Sequence, residues 1–134
     1  MDKAKLLATF FSKNLAISWL FQLLAINTSL KNRKDFIVTT GVGNHQMMSC
    51  QFINWRYPQR FISSGSLGVM GAGLPYAIGV QFANQKKSVI NIDGDSSFLM
   101  TLSDLKTVKE HNLPLKILIP AFAEPSITNS SAST

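Results

Sequence analysis

Asp93-Gly94-Asp95 follows the apolar run Ser88 to Ile92 without a gap. That order places a carboxylate at the carboxyl end of a buried parallel strand, the position where open α/β sheets hold phosphates and metals. If the turn begins at Gly94, Asp95 can face a divalent cation that neutralises a diphosphate, with the amides of Ser96 and Ser97 beside it. The bland alternatives are a strand-end acceptor role for Asp93 and a cap by Asp95 on Ser97 or Phe98. His45 also comes directly after a strand, behind Gly43 and Asn44, which suits a hydrogen bond to a phosphate. His111 closes a helix and reads as a favourable helix-end residue.

The second feature is Ser64-Gly-Ser-Leu-Gly-Val-Met-Gly-Ala-Gly73. It contains Gly68-x-x-Gly71-x-Gly73, whose order is not that of the dinucleotide fingerprint, and no acidic partner follows at the expected offset. What such glycines supply is close backbone approach, so that amides or carbonyls can face a ligand. Met70 in their midst either fills a core gap or forms a shelf under a flat ring.

These groups need a frame. Phe36 to Thr40 is short and β-branched, Gly41-Val-Gly43 breaks it, and from Asn44 the residues Met47, Met48, Phe52 and Ile53 recur at roughly helical spacing. Arg60 to Ser64 is a weaker strand, Leu74 to Ala83 a helix with Pro75 near its start, and Ser88 to Ile92 the clearest strand. Thr101 to His111 reads as a helix, and Leu115 to Ile119 as the next strand after Pro114. Strands alternating with helices of this length predict an α/β fold: a parallel sheet with helices on both faces.

The chain has 134 residues, with 46% apolar and only 15% charged residues, so much of its surface is neutral or meant to be covered by another domain or subunit. We divide it into an N-terminal helical or atypical leader segment at 1–34, a core domain at 35–119 and an irregular tail at 120–134. The apolar run Leu15 to Ile26 would extend about 18 Å as a helix, too short for a bilayer, so no membrane span is expected. The net charge of +6 is scattered without interleaved aromatics, which argues against nucleic acid and suits an anionic small ligand. The single cysteine excludes a disulfide framework or a thiolate metal site.

Three ordered blocks carry a family resemblance: Ile37-Val-Thr-Thr-Gly-Val-Gly-Asn-His-Gln-Met47, Ser64 through Gly79, and Ile92-Asp-Gly-Asp-Ser-Ser-Phe-Leu-Met-Thr-Leu102. They resemble the carboxyl-terminal, thiamine-diphosphate-binding domain of acetolactate synthase, over about residues 35–119. The resemblance implies a thiamine-diphosphate-binding fold and a Mg2+-dependent carboligase that condenses pyruvate with a second 2-oxo acid in branched-chain amino-acid (isoleucine and valine) biosynthesis. It assigns Gly43, Asn44 and His45 to the diphosphate, Asn44 standing where the family usually has glutamine. It assigns the carbonyl of Gly68 to the aminopyrimidine, Met70 to the bulky residue that bends the cofactor, and Asp95, with Gly94 and Ser96 around it, to the metal. The family's asparagine pair beyond the next strand is replaced by Ala121 and Phe122, and Glu124 falls where some members carry a further ligand.

By the same resemblance this chain supplies no catalytic residue. The glutamate that protonates the cofactor belongs to an amino-terminal domain of a partner subunit, and the FAD of full-length members to a central domain. The expected partners are therefore 2-oxo acids and a second or full-length subunit, and the expected compartments are mitochondrion, plastid or bacterial cytoplasm. Two further readings stay open: another thiamine-diphosphate-dependent decarboxylase or carboligase, and a noncatalytic remnant.

Overall fold

A computed structural model of the chain describes residues 15–120 with the exception of 32 and 56; the expectations for residues 1–14 and 121–134, including Ala121, Phe122 and Glu124, fall outside the described residues. Helix α1 (Leu15–Leu30) leads into strand β1 (Phe36–Thr40) and helix α2 (Asn44–Phe52). A 3-10 turn (Pro58–Arg60) precedes β2 (Phe61–Ile62), and a second (Gly65–Leu67) opens the glycine-rich loop before α3 (Gly73–Ala83). Then come β3 (Ser88–Ile92), α4 (Asp95–Met100), a 3-10 turn (Leu102–Asp104), α5 (Leu105–Glu110) and β4 (Lys116–Leu118).

The four strands form one parallel sheet in the order β2-β1-β3-β4. β1 therefore sits inside the sheet, and all five of its residues are buried, as a strand covered on both faces must be. The chain leaves β1 toward one edge and later proceeds from β3 toward the other. A crevice opens between diverging connections of this kind, outside the carboxyl ends of β1 and β3.

Side-chain alternation assigns the two faces. Phe36, Val38 and Ile92 form one core with Leu23 and Leu30 of α1 and Ile53 after α2, while Trp55, Phe61, Ile90 and Leu118 pack at its margin. Each fully buried aliphatic side chain here contributes roughly 1.5–3 kcal/mol. The opposite face carries Ile37, Thr39, Val89 and Asn91, and α3 lies across β1 and β3 with Leu74 and Ala77 wholly buried. Polar residues enter this second layer near its ligand end. The Thr39 hydroxyl and the Asn91 side-chain amide pair across the strands at 3.0 Å.

Several elements differ from expectation. β1 and β3 have the expected limits, but β2 keeps only two residues, because the backbone turns into the 3-10 segment at Gly65 soon after Ile62. The helical stretch expected to start at Thr101 begins at Asp95 and is broken at Thr101, whose side chain bonds to the glycine loop instead of facing along a helix. In α2 His45 and Ser49 are buried, and of the expected apolar set Met48 and Ile53 pack on the core whereas Met47 and Phe52 are exposed. α1 runs past the apolar stretch to Leu30, its polar last turn helped by Thr28 Oγ1 donating to the Leu24 carbonyl at 2.8 Å.

Candidate functional site

Thr40 and Ile92 are the last paired residues of the two central strands, so Gly41 and Asp93 leave the sheet side by side. The Asp93 carboxylate is wholly buried, and its Oδ1 accepts from the Gly94 amide at 3.1 Å. Backbone crowds it on every side. A Cβ on Gly41 would run into Asp93 Oδ1 and Ser97 Oγ, and one on Gly73 would meet Asp93 Oδ2 and come within 2.6 Å of the Gly41 nitrogen. The first turn of α3, the β1–α2 turn and the β3–α4 turn thus close on one carboxylate.

His45 occupies the first turn of α2, behind Gly43, whose φ of 145° is a conformation that L side chains rarely adopt. The imidazole is 2% exposed. Its Nδ1–Cε1 edge lies between Gly43 and Gly94, 3.1–3.2 Å from where a Cβ on either would stand. Its Nε2 is buried without a hydrogen bond, 3.7 Å from Asp93 Oδ1. Burial pushes the His45 pKa below the ordinary 6.5, and the charge of Asp93, the Gly41 backbone and Asp95 oppose that shift without reversing it.

A depressed histidine pKa has a definite stability consequence. Below 6.5 the unfolded chain takes up the proton more readily than the folded one, so the contribution of neutral His45 is complete above that pH and is lost as pH falls through the folded value. Lowering the pH from 7.5 to 5.5 should reduce Tm. His45→Gln should flatten that drop, a comparison that thermal melts at the two pH values decide.

Asp95 and Ser96 are exposed at the start of α4. Asp95 Oδ1 accepts from the Ser96 amide at 2.7 Å and from Ser96 Oγ at 3.3 Å. The cap expected on Ser97 or Phe98 is absent: the Phe98 amide donates to the Gly94 carbonyl at 2.8 Å, and the Asp95 side chain makes no capping bond to the helix. A local bond to Ser96 leaves the outer oxygen of the carboxylate open to a hard cation. Among the described residues no group of three or more His, Cys, Asp or Glu side chains could hold a metal alone. Magnesium suits such a place, because it takes one or two carboxylates and completes its shell with water and phosphate oxygens. The residues present therefore fit a metal that arrives with a diphosphate.

The glycine-rich loop is fastened to α4. The Gly71 amide donates to Ser97 Oγ at 3.0 Å, Thr101 Oγ1 donates to the Gly71 carbonyl at 3.0 Å, and Ser64 Oγ accepts from the Val69 amide at 2.9 Å. Gly68 turns with a φ of 60°. Met70 is 47% exposed, which overturns the core-filling alternative and leaves its side chain free to meet a ligand or another chain. Leu67, Val69, Leu99, Met100 and Leu102 are exposed on the same loop and the α4 region.

The structure thus brings Gly43, His45 and Gly94 into contact, sets Asp95 and Ser96 at the same strand end, and ties the loop bearing Gly68 and Met70 to α4. Asn44 is exposed at the first residue of α2. Sequence reasoning missed Gly41, Gly73 and Ser97 as parts of this frame. The Gly71–Ser97 bond spans 26 residues, and no local pattern announces a pairing of that kind.

Residues 41–120 match the family model described as thiamine pyrophosphate enzyme, C-terminal TPP binding domain, and the chain belongs to that family. Its relatives narrow the class to acetolactate synthases. The chain is 57% identical over 86 residues to the mitochondrial acetolactate synthase catalytic subunit of Saccharomyces cerevisiae, covering 64% of this chain and 12% of that protein. It is 51% identical over 83 residues to the chloroplastic acetolactate synthase of Arabidopsis thaliana (62% and 12%), and 52% over 82 residues to the mitochondrial acetolactate synthase of Schizosaccharomyces pombe (61% and 12%). The chain spans about 12% of the length of these relatives.

Proposed function

We propose that this chain carries the diphosphate- and metal-binding half of an acetolactate-synthase-type carboligase site, taking thiamine diphosphate with Mg2+ at the carboxyl ends of β1 and β3. One observation carries the reading. The turns after both central strands place an exposed carboxylate, Asp95, and a buried imidazole, His45, at one edge of the sheet, with glycine backbone between them. That is a negative group for a cation and an imidazole that, when protonated on the nitrogen facing the glycines, donates to a phosphate, on rigid elements.

The roles follow from chemistry and position. Asp95 would hold the metal, Gly43, Asn44, His45, Gly94 and Ser96 would face the diphosphate, and Gly68 and Met70 would meet the rest of the cofactor. When bound, the thiazolium acts as an electron sink for decarboxylation and carboligation of 2-oxo acids. The chain's part is to bind, orient and exclude water. Residues 35–119 form the working unit in this reading, and the exposed apolar side chains around Leu67 and Leu99 are the surface another subunit or domain covers. The substrates would be pyruvate and a second 2-oxo acid of branched-chain amino-acid synthesis, with FAD held elsewhere in a full-length enzyme. The compartment would be a mitochondrion or plastid, as the relatives' names indicate, and among the described residues no helix is long and apolar enough to cross a membrane.

Calorimetric titration with thiamine diphosphate tests this. The expected result is saturable binding that requires Mg2+, together with no acetolactate formed from pyruvate, because no residue assigned here is an acid or base for the reaction. Absence of binding at millimolar cofactor would overturn the cofactor reading in favour of a noncatalytic remnant, and turnover above the blank would overturn the expectation of inactivity.

A further inference from the structure

Asp93 is the least explained charge in the molecule. Its carboxylate is wholly buried, a costly placement unless the charge does something for its neighbours. Three backbone segments leave it room by lacking side chains at Gly41 and Gly73 and by offering the Gly94 amide. The Asn91 side chain lies 3.4 Å from its Oδ2, with its amide nitrogen turned to the Gly73 and Thr39 carbonyls. The remaining neighbour is His45 Nε2, buried and without a hydrogen bond, 3.7 Å from Oδ1. Each group is the other's unfinished contact. A ring movement of well under 1 Å closes it to a hydrogen bond, and bonds of this kind often tighten when a ligand enters.

We propose that Asp93 is a positioning residue for His45. It accepts from Nε2–H and fixes the ring with that edge inward, so that the Nδ1 edge stands between Gly43 and Gly94, where a second proton taken up with the anionic ligand of the proposed site would let Nδ1–H donate to it. A carboxylate partnered with one ring nitrogen in this way sets tautomer and orientation in metal-ligating histidines, and the same pairing would hold the His45 ring here. Asp93 itself touches no ligand, since its oxygens are enclosed by Gly41, Gly73, Gly94 and His45. This inference rests on the proposed cofactor reading for its purpose, but the ring orientation stands apart from it.

The chain has only two histidines, so 15N-edited NMR of the imidazoles resolves both in the ligand-free protein. The expected result is a slowly exchanging proton on His45 Nε2, shifted downfield, that moves upfield in Asp93→Asn while His111 is unchanged. A wild-type His45 protonated on Nδ1 alone overturns the proposal, and so does an Nε2 proton that Asp93→Asn leaves in place. If Asp93→Asn does not fold, the wild-type spectrum alone decides. A second arm measures thiamine diphosphate and Mg2+ affinity: Asp93→Asn should weaken binding about 10-fold, and adding it to His45→Gln should weaken binding no further. Additive losses overturn the coupling. Failure of the wild type to bind cofactor, with the Nε2 signature intact, would remove the cofactor reading and leave the ring assignment standing.

Discussion

Asp95→Ala should weaken Mg2+-dependent binding of thiamine diphosphate by about 100-fold, while the melting curve stays where it was. The two halves of that result come from one geometry. Asp95 is exposed, and its carboxylate accepts from the amide and hydroxyl of Ser96 next to it. Nothing in the core depends on it, and exposed substitutions of this sort change stability by about 0.5 kcal/mol or less. A cation, by contrast, loses the one accessible carboxylate that the described residues place at the ends of β1 and β3, because Asp93 is enclosed. Asp95→Asn should fall between the two, keeping an oxygen ligand without the charge. A variant that lost stability in step with affinity would mean that Asp95 serves the fold.

The opposite split is expected for Gly73→Ala. The added methyl would meet the Asp93 carboxylate and lie 2.6 Å from the Gly41 nitrogen, 2.9 Å from Asn91 Oδ1. Backbone on one side and a buried charge on the other cannot both retreat, so α3 must lift from the sheet. A loss of about 3 kcal/mol is expected, with the cofactor site lost as a consequence of unfolding. Gly79→Ala, six residues further along the same helix, is the control. No atom outside its own helix backbone lies within 4 Å of that position, and alanine is favoured over glycine in a helix by about 1 kcal/mol, so this variant should be more stable than the parent. Denaturant melts of the two variants measure both effects. Equal behaviour at the two positions would contradict the close approach of α3 to the strand ends.

How much of this was legible in the chain itself depends on the range of the interaction. β1 and β3 were read to the residue, since a β-branched or apolar run bounded by glycine or a carboxylate is a local signal. The Asp-Gly-Asp turn could be placed at a strand end for the same reason. What lay beyond local pattern was the division of labour between its two carboxylates. The enclosure of Asp93 arises from Gly41 and Gly73, which come from other segments and are brought together only by the folded sheet and α3. The break at Thr101 was hidden likewise, because a residue with ordinary helix neighbours is held out by a bond to Gly71, 30 residues earlier. Helical spacing in α2 pointed correctly to Met48 and Ile53 as core-facing, but it gave no sign that His45 and Ser49 would be buried beside the polar cluster at the strand ends.

The central claim is that the carboxyl ends of β1 and β3 hold a metal and a diphosphate together. Manganese replaces magnesium at oxygen sites and broadens nuclear resonances in its vicinity, and His45 and His111 belong to different parts of the molecule, the first turn of α2 and the end of α5. With thiamine diphosphate and substoichiometric Mn2+, the His45 ring signals should broaden along with the amides of Gly43, Gly94 and Ser96, while those of His111 remain sharp. Broadening at His111 with His45 untouched, or none at either, would contradict the account.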